Sequence, residues 1–287
     1  RDSEDFATHA ELMHAMPVAE VYVAQGRPGR LLLSALKAAN LADVYGEAEQ
    51  QMLTRSGLAF MLSTTPLKGT ALRYLRSAER QRQRLRAPAA EVEYLRRRAT
   101  LLFQLGRLTE AEAAAREAIA MARAQHNDLA EMRGMSTLQM MLSSAQRISE
   151  LEQLSAEMVR LADRSGNLQF GAMGRMAQAQ CLLWRQEWAR AAEVAHKAGE
   201  MAARSWAKLP EVAAAAFAAM CSLQQGRFAE AGERAGEALT QIGRVPLSMG
   251  ALEVALRPIA DVALALSATA EPGAALGRAL FLRALRL

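Results

Sequence analysis

Between Glu110 and Arg123 the apolar residues Ala111, Ala115, Ala118, Ile119 and Ala122 fall at the spacing of one helix face. Apolar positions three and four apart predict an amphipathic helix with one buried stripe. Nowhere does the chain alternate apolar and polar residues with the period of two that a half-buried strand requires. The helical pattern instead returns at a fixed interval. Gly26-Arg27, Gly106-Arg107 and Gly226-Arg227 stand 80 and 120 residues apart, two and three times 40. The missing multiples are Pro66, Gln146 and Gln186, each in a segment with turn character or a break in the apolar pattern.

Columns counted from these anchors show that the period is real. Seven residues before them stand Ala19, Ala59, Ala99, Gln139, Ala179 and Ala219, and five after stand Leu31, Ala71, Ala111, Leu151, Ala191 and Ala231. Twelve after stand Ala38, Ala78, Ala118, Met158, Ala198 and Ala238, and four before stand Tyr22, Leu62, Leu102, Leu142, Leu182 and Ser222. Small residues recur where helices must approach closely, and large apolar ones where the gap between them must be filled. Each unit therefore reads as a first helix, a tight turn at the anchor, and a second helix. Glycine at a turn supplies the left-handed backbone that closes a helix. One such pair cannot bury its stripe alone, so neighbouring units must stack.

The expected fold is all-α: a right-handed superhelix of about seven hairpins in one domain spanning 1–287, with repeats near 8–46, 47–86, 87–125, 126–165, 166–206, 207–246 and 247–287. The seventh is the weakest, because Pro258 falls inside its first helix and should kink or shorten it.

Composition agrees. The chain has 287 residues, 51% apolar but only 5% aromatic, and the apolar half is mostly Ala, Leu and Met, which lose little on entering a helix. The longest unbroken apolar stretch, Val212 to Cys221, is about half the ~20 residues needed to span a bilayer. No signal-peptide order opens the chain, and two cysteines are too few for a disulfide framework. The expected location is the cytoplasm, without membrane contact. Arg1 stands where a methionine would open a whole protein, so the chain reads as a fragment of a longer polypeptide.

The small and large columns, with Gly106-Arg-Leu-Thr-Glu-Ala and Gly226-Arg-Phe-Ala-Glu-Ala at the turns, resemble the tetratricopeptide repeat. The likeness covers roughly the whole chain. It departs in period, forty against the usual 34 of that family, which implies helices longer by about a turn in total. Ala19 to Tyr45 and Leu53 to Ala78 look like the helical-repeat region that follows the ATPase module in large bacterial signalling proteins. These include adenylate/guanylate cyclase-like proteins and LuxR/MalT-type regulators. No cyclase, ATPase or DNA-binding motif stands in these 287 residues, so none of those activities carries over to a residue here.

Candidate chemistry is sparse. There is no phosphate-cradling Gly-rich loop, and His9, His14, His126 and His196 are never paired with cysteine or carboxylate at metal-ligand spacing. No cofactor, metal or catalytic residue is expected. Cys181 and Cys221 are 40 residues apart and share a column with Val21, Met61, Leu101 and Met141, which predicts buried, reduced thiols.

Two surfaces stand out. In tetratricopeptide stacks the first-helix residues thirteen, ten, six and three before the turn line an inner groove. That register selects Met13, Met16, Glu20, Phe60, Arg96, Thr100, Arg133, Met140, Met173, Met176, Gln180 and Met220. Flexible thioethers suit a groove that repacks around apolar ligand groups, though they equally fill gaps between long helices. The second surface lies between Ala71 and Arg98, where nine arginines meet three glutamates, a net of +6 in a chain of net +5. Within it Arg73, Arg76, Arg80 and Arg84 fall near one helical stripe, either as a solvated face or as a docking patch. An acidic protein surface fits the patch better than nucleic acid, because no recognition helix or aromatic interleaving accompanies it.

The expected function is a protein-interaction or sensor module of a bacterial signalling protein, holding a peptide, a protein or a domain of its own chain in the groove. Two alternatives stay open: a scaffold docking nucleic acid or an acidic surface through the arginines, and a small-molecule effector receptor with a site between helices.

Overall fold

The structure is a computed structural model that describes residues 28–63, 65–82, 88–205, 207–242, 252–269 and 273–284. Among these residues there are helices and no strand. They are α1 (Pro28–Tyr45), α2 (Ala48–Ser63), α3 (Lys68–Arg82), α4 (Pro88–Gln104), α5 (Leu108–Ala124) and α6 (Asp128–Ser144). Then come α7 (Ile148–Ser165), α8 (Leu168–Trp184), α9 (Trp188–Ser205), α10 (Lys208–Gln224) and α11 (Phe228–Ile242). A π-helical turn, Leu252–Leu256, leads into α12 (Arg257–Ser267), and α13 (Gly273–Ala284) comes last.

The turns explain the spacing. The backbone is left-handed at Gly106, His126, Gln146, Gly166, Gln186 and Gly226, with φ between 52° and 75°. At each one two hydrogen bonds close the preceding helix. At Gly106 its own N–H donates to the Phe103 carbonyl at 2.9 Å, and the Arg107 N–H donates to Leu102 at 2.9 Å. The same pair recurs at the other five, and Ala207 N–H repeats the second bond to Ala202 at 3.0 Å. This is the Schellman closure, which satisfies carbonyls that a helix end leaves without partners. The backbone repeat is therefore twenty residues, half the period of the side-chain pattern. Turns within a hairpin and turns between hairpins share one geometry.

The two kinds of turn differ in the residue just after the left-handed one. Within hairpins that residue forms a charge pair three positions on, as in Arg107–Glu110, Arg147–Glu150 and Arg227–Glu230, with the signs reversed in Glu187–Arg190. Between hairpins it is Asn127 or Asn167. Their side-chain oxygens accept from the Ala130 and Phe170 N–H groups at 3.0 and 3.1 Å, an N-cap on the following helix.

The sequence columns are the packing columns. Ala59, Ala99, Ala179 and Ala219 are fully buried, as are Ala71, Ala111, Leu151, Ala191 and Ala231. Ala38, Ala78, Ala118, Met158, Ala198 and Ala238 are buried too.

Contacts divide the chain into two compact units, Arg1–Met141 and Leu142–Leu287. In the first, α2 packs on α1 and α3, α4 packs on α5, and α2 lies on α4. Its core gathers Met52, Leu58, Tyr94, Leu95 and Leu101 around the alanines of α3 and α5. In the second, consecutive helices from α7 to α11 pack in order, and α8 lies on α10 and α10 on α12. First helices thus stack on first helices, which extends a buried layer from repeat to repeat.

Pro258 acts as its ring chemistry requires. It lacks an N–H, and in an unbroken α-helix its ring would strike the carbonyl four residues back, at Val254. The backbone widens to the π-turn over that stretch, and Pro258 then sits in the first turn of α12, only 11 residues long. The last hairpin closes tightly. A Cβ on Gly277 would stand 2.3 Å from the Ser267 nitrogen and 2.6 Å from the Ala263 oxygen.

Candidate functional site

The first helices α2, α4, α6, α8 and α10 carry most of the residues the repeat register selects. Phe60, Arg96, Arg133, Met140, Met173 and Met220 are half-buried on them. Thr100 in the first unit and Met176 and Gln180 in the second are buried, about a twentieth exposed, so a partner meeting the first helices of either unit would not touch them. Each has a packing reason. Met176 fills the space left by Ala179, Ala195, Ala198 and Ala213 beside Phe217. Gln180 accepts a 2.9 Å hydrogen bond from the Ser143 hydroxyl, and the Thr100 hydroxyl donates to the Arg96 carbonyl at 3.1 Å. Met13, Met16 and Glu20 lie outside the described residues, as does Arg84.

The sequence singled out Arg96 and Arg133, but not Glu93 and Arg97, which join them in a charged cluster between α4 and α6. Glu93 receives Arg96 Nε at 2.9 Å and Arg97 Nε at 2.7 Å. Arg97 also reaches back to α2, donating to the Leu53 carbonyl and to Ser56 Oγ at 3.3 Å. Burial alone would push the Glu93 carboxyl up, but Arg96, Arg97 and Arg133 together hold it well below the usual carboxylate range. Glu93 is thirteen residues before Gly106, and Arg133 is thirteen before Gln146. Equivalent positions of successive first helices therefore feel one another, with three guanidinium groups around one carboxylate. The register could have flagged Glu93, since it obeys the rule that selected Arg133.

The arginine-rich stretch resolves into two classes. Arg82 turns inward: its Nε and Nη2 donate to Glu91 at 2.8 and 2.6 Å, and its guanidinium lies 5.7 Å from the centre of the Tyr94 ring. Tyr94 in turn donates to Glu79, and burial with that hydrogen bond raises its phenol. Arg73, Arg76 and Arg80 are exposed on α3.

Cys181 and Cys221 are free and buried. Burial pushes their thiols up to about 12 and about 11, the opposite of an activated nucleophile. Trp184 and Trp188, flanking the Gln186 turn, are half-buried. Among the described residues no three His, Cys, Asp or Glu side chains converge as metal ligands would, and no helix is long and apolar enough to cross a membrane.

No family model matches the chain, and no curated protein matches it by sequence. Solved structures do. A Rap protein complexed with competence and sporulation factor superposes with a TM-score of 0.70 at 11% identity, over 96% of this chain and 76% of that one. A Signal Transduction ATPase with Numerous Domains from Pyrococcus horikoshii, which has a tetratricopeptide repeat sensor, gives 0.64 at 14% identity over 95% of this chain and 41% of that one. BtubC from P. vanneervenii gives 0.57 at 14% identity, over 80% of this chain and 90% of that one. Identities this low speak to fold alone. With the stacked hairpins described above, they identify the chain as an all-α, tetratricopeptide-like helical-repeat fold.

Proposed function

We propose that this chain is the interaction or sensor module of a larger bacterial signalling protein in the cytoplasm, non-catalytic in itself. It holds a peptide, a protein segment or another domain of its own polypeptide against the first helices of one of its two units. The observation that carries this reading is the juxtaposition of Glu93 and Arg133. It places the half-buried Arg96, Arg133 and Met140 of α4 and α6 on neighbouring surfaces of the first unit, and α2, which carries Phe60, packs on α4. Half-buried apolar and cationic groups side by side suit a partner that brings both apolar and acidic side chains. Two of the structural neighbours support the reading by analogy, since one is complexed with competence and sporulation factor and the other has a tetratricopeptide repeat sensor.

The test is capture of a partner by Phe60→Glu with Met140→Glu, and separately by Met173→Glu with Met220→Glu. Loss of capture with an intact helical spectrum is expected from at least one pair. Full capture by both would refute the assignment. Met176→Glu is not a usable probe, because Met176 is buried among alanines and a charge there would unfold the helix pair.

A further inference from the structure

We infer that the outward face of α3 is a docking surface for an acidic protein segment, separate from the first-helix face. Arg73, Arg76 and Arg80 are spaced i, i+3 and i+7, which places them on one stripe. Ala71, Leu75 and Ala78, the buried residues of α3, lie on the opposite side of the helix, so the stripe points straight out.

The helix holds these charges at a local cost. Arg73 and Arg76 are three apart and Arg76 and Arg80 four apart, arrangements in which like charges repel along a helix. No acid offsets them. The one acid of α3, Glu79, stands three after Arg76, but it accepts from Tyr94 and pairs with Arg82 at 3.3 Å. Exposed cations elsewhere commonly find a glutamate one turn away, as in Arg116–Glu112, Lys197–Glu193 and Arg234–Glu230. Among the described residues Arg73, Arg76 and Arg80 form no ion pair. Other exposed arginines, Arg160, Arg164 and Arg204, also lack an ion pair among the described residues; three on one stripe of α3 is what makes this surface complementary to carboxylates brought from outside.

Guanidinium groups bind carboxylates in pairs of parallel hydrogen bonds. Three of them along two helical turns match a segment that presents glutamates or aspartates at helical spacing. Duplex DNA is the less suitable polyanion, because among the described residues no asparagine or glutamine joins the arginines on the stripe to read a second base, and Gln81, beside it, donates to Gln51 at 2.9 Å.

The test uses the whole 287-residue chain and a fluorescent helical peptide with glutamates at i, i+3 and i+7. A peptide of the same composition with its glutamates scrambled off that stripe, and a duplex DNA, serve as comparisons. Binding is read by anisotropy at two salt concentrations. The stripe peptide should bind best, weaken severalfold as salt rises from 0.1 to about 0.3 M, and weaken at least tenfold in Arg73→Ala/Arg76→Ala/Arg80→Ala. That variant should also keep or gain thermal stability, since like-charge repulsion is removed; a purely structural role would lower it. Unchanged binding by the triple variant, no binding of the stripe peptide, or tighter binding of the duplex would each overturn the inference.

Discussion

The six left-handed turn residues make a prediction whose sign depends on a single backbone angle. Gly106, Gly166 and Gly226 adopt φ of 66–75°, and His126, Gln146 and Gln186 adopt φ of 52–62° at equivalent places. A residue with a Cβ in this region costs about 1–2 kcal/mol. Glycine avoids that strain but loses about 0.5–1 kcal/mol more chain entropy on folding. The difference predicts that His126→Gly, Gln146→Gly and Gln186→Gly each stabilise the protein by about 0.5–1 kcal/mol. The sites lie in separate turns, so the triple variant should gain roughly the sum, about 2 kcal/mol. Gln125 provides the internal control. It precedes His126, caps the same helix and has φ −91°, so Gln125→Gly has only the entropic loss. In the reverse direction, a Cβ at Gly106, Gly166 or Gly226 would meet nothing within 4 Å, so Gly→Ala there reports backbone strain free of any clash. Urea unfolding followed by far-ultraviolet circular dichroism should give a higher midpoint for His126→Gly and a lower one for Gln125→Gly at constant slope. Exchange of the Asn127 amide, which closes the turn onto Ala122, should slow in the first and quicken in the second. Equal effects of the two substitutions would refute the backbone argument, whatever their sign.

Particular contacts carry further consequences. Gly277→Ala should destabilise the last hairpin by about 1–3 kcal/mol, because the new Cβ would meet backbone atoms of α12; helix propensity alone predicts a gain, so a raised melting temperature would disprove the close approach. Met176→Ala should cost about 2–4 kcal/mol in chemical denaturation, and the half-buried Met173→Ala clearly less. Glu93 is ionised more readily in the folded chain than its ordinary value of 4.5 allows, so its stabilisation is complete above that pH and declines as pH falls further. Glu93→Gln should therefore lose about 2 kcal/mol at pH 7 and show a flatter acid limb in a stability–pH profile; parallel profiles would contradict the cluster. Cys181 and Cys221, with thiols raised to about 12 and about 11, should react with a thiol reagent at pH 8 only at the rate of unfolding.

How each feature is encoded decides whether it is legible in the sequence. A contact between two close helices tolerates only a small side chain, so the alanine columns at 71, 111, 191 and 231 announce the packing directly. A left-handed turn merely prefers glycine, and His126, Gln146 and Gln186 meet the demand without it; hence the forty-residue side-chain period is visible and the twenty-residue backbone period is not, even though Gly166 marks it. The first-helix face is only partly legible. Position in a repeat fixes which helix a residue belongs to, but its exposure depends on the bulk of its neighbours. Met176 faces alanines and sinks between them, while Met173, one turn earlier, stays half-exposed. Charge shows the same division. A sum over Ala71 to Arg98 treats nine arginines alike, yet Arg82, Arg96 and Arg97 meet Glu91 and Glu93 at hydrogen-bonding distance. The α3 stripe stays without an ion pair because the one acid of α3, Glu79, is held by Tyr94 and Arg82. Net charge along a helical-repeat sequence therefore overstates the surface available to a partner wherever glutamates lie one turn away on the same helix, as Glu93 does, or reach across from the next, as Glu91 does. The charge on α3 is part of what such pairing leaves over.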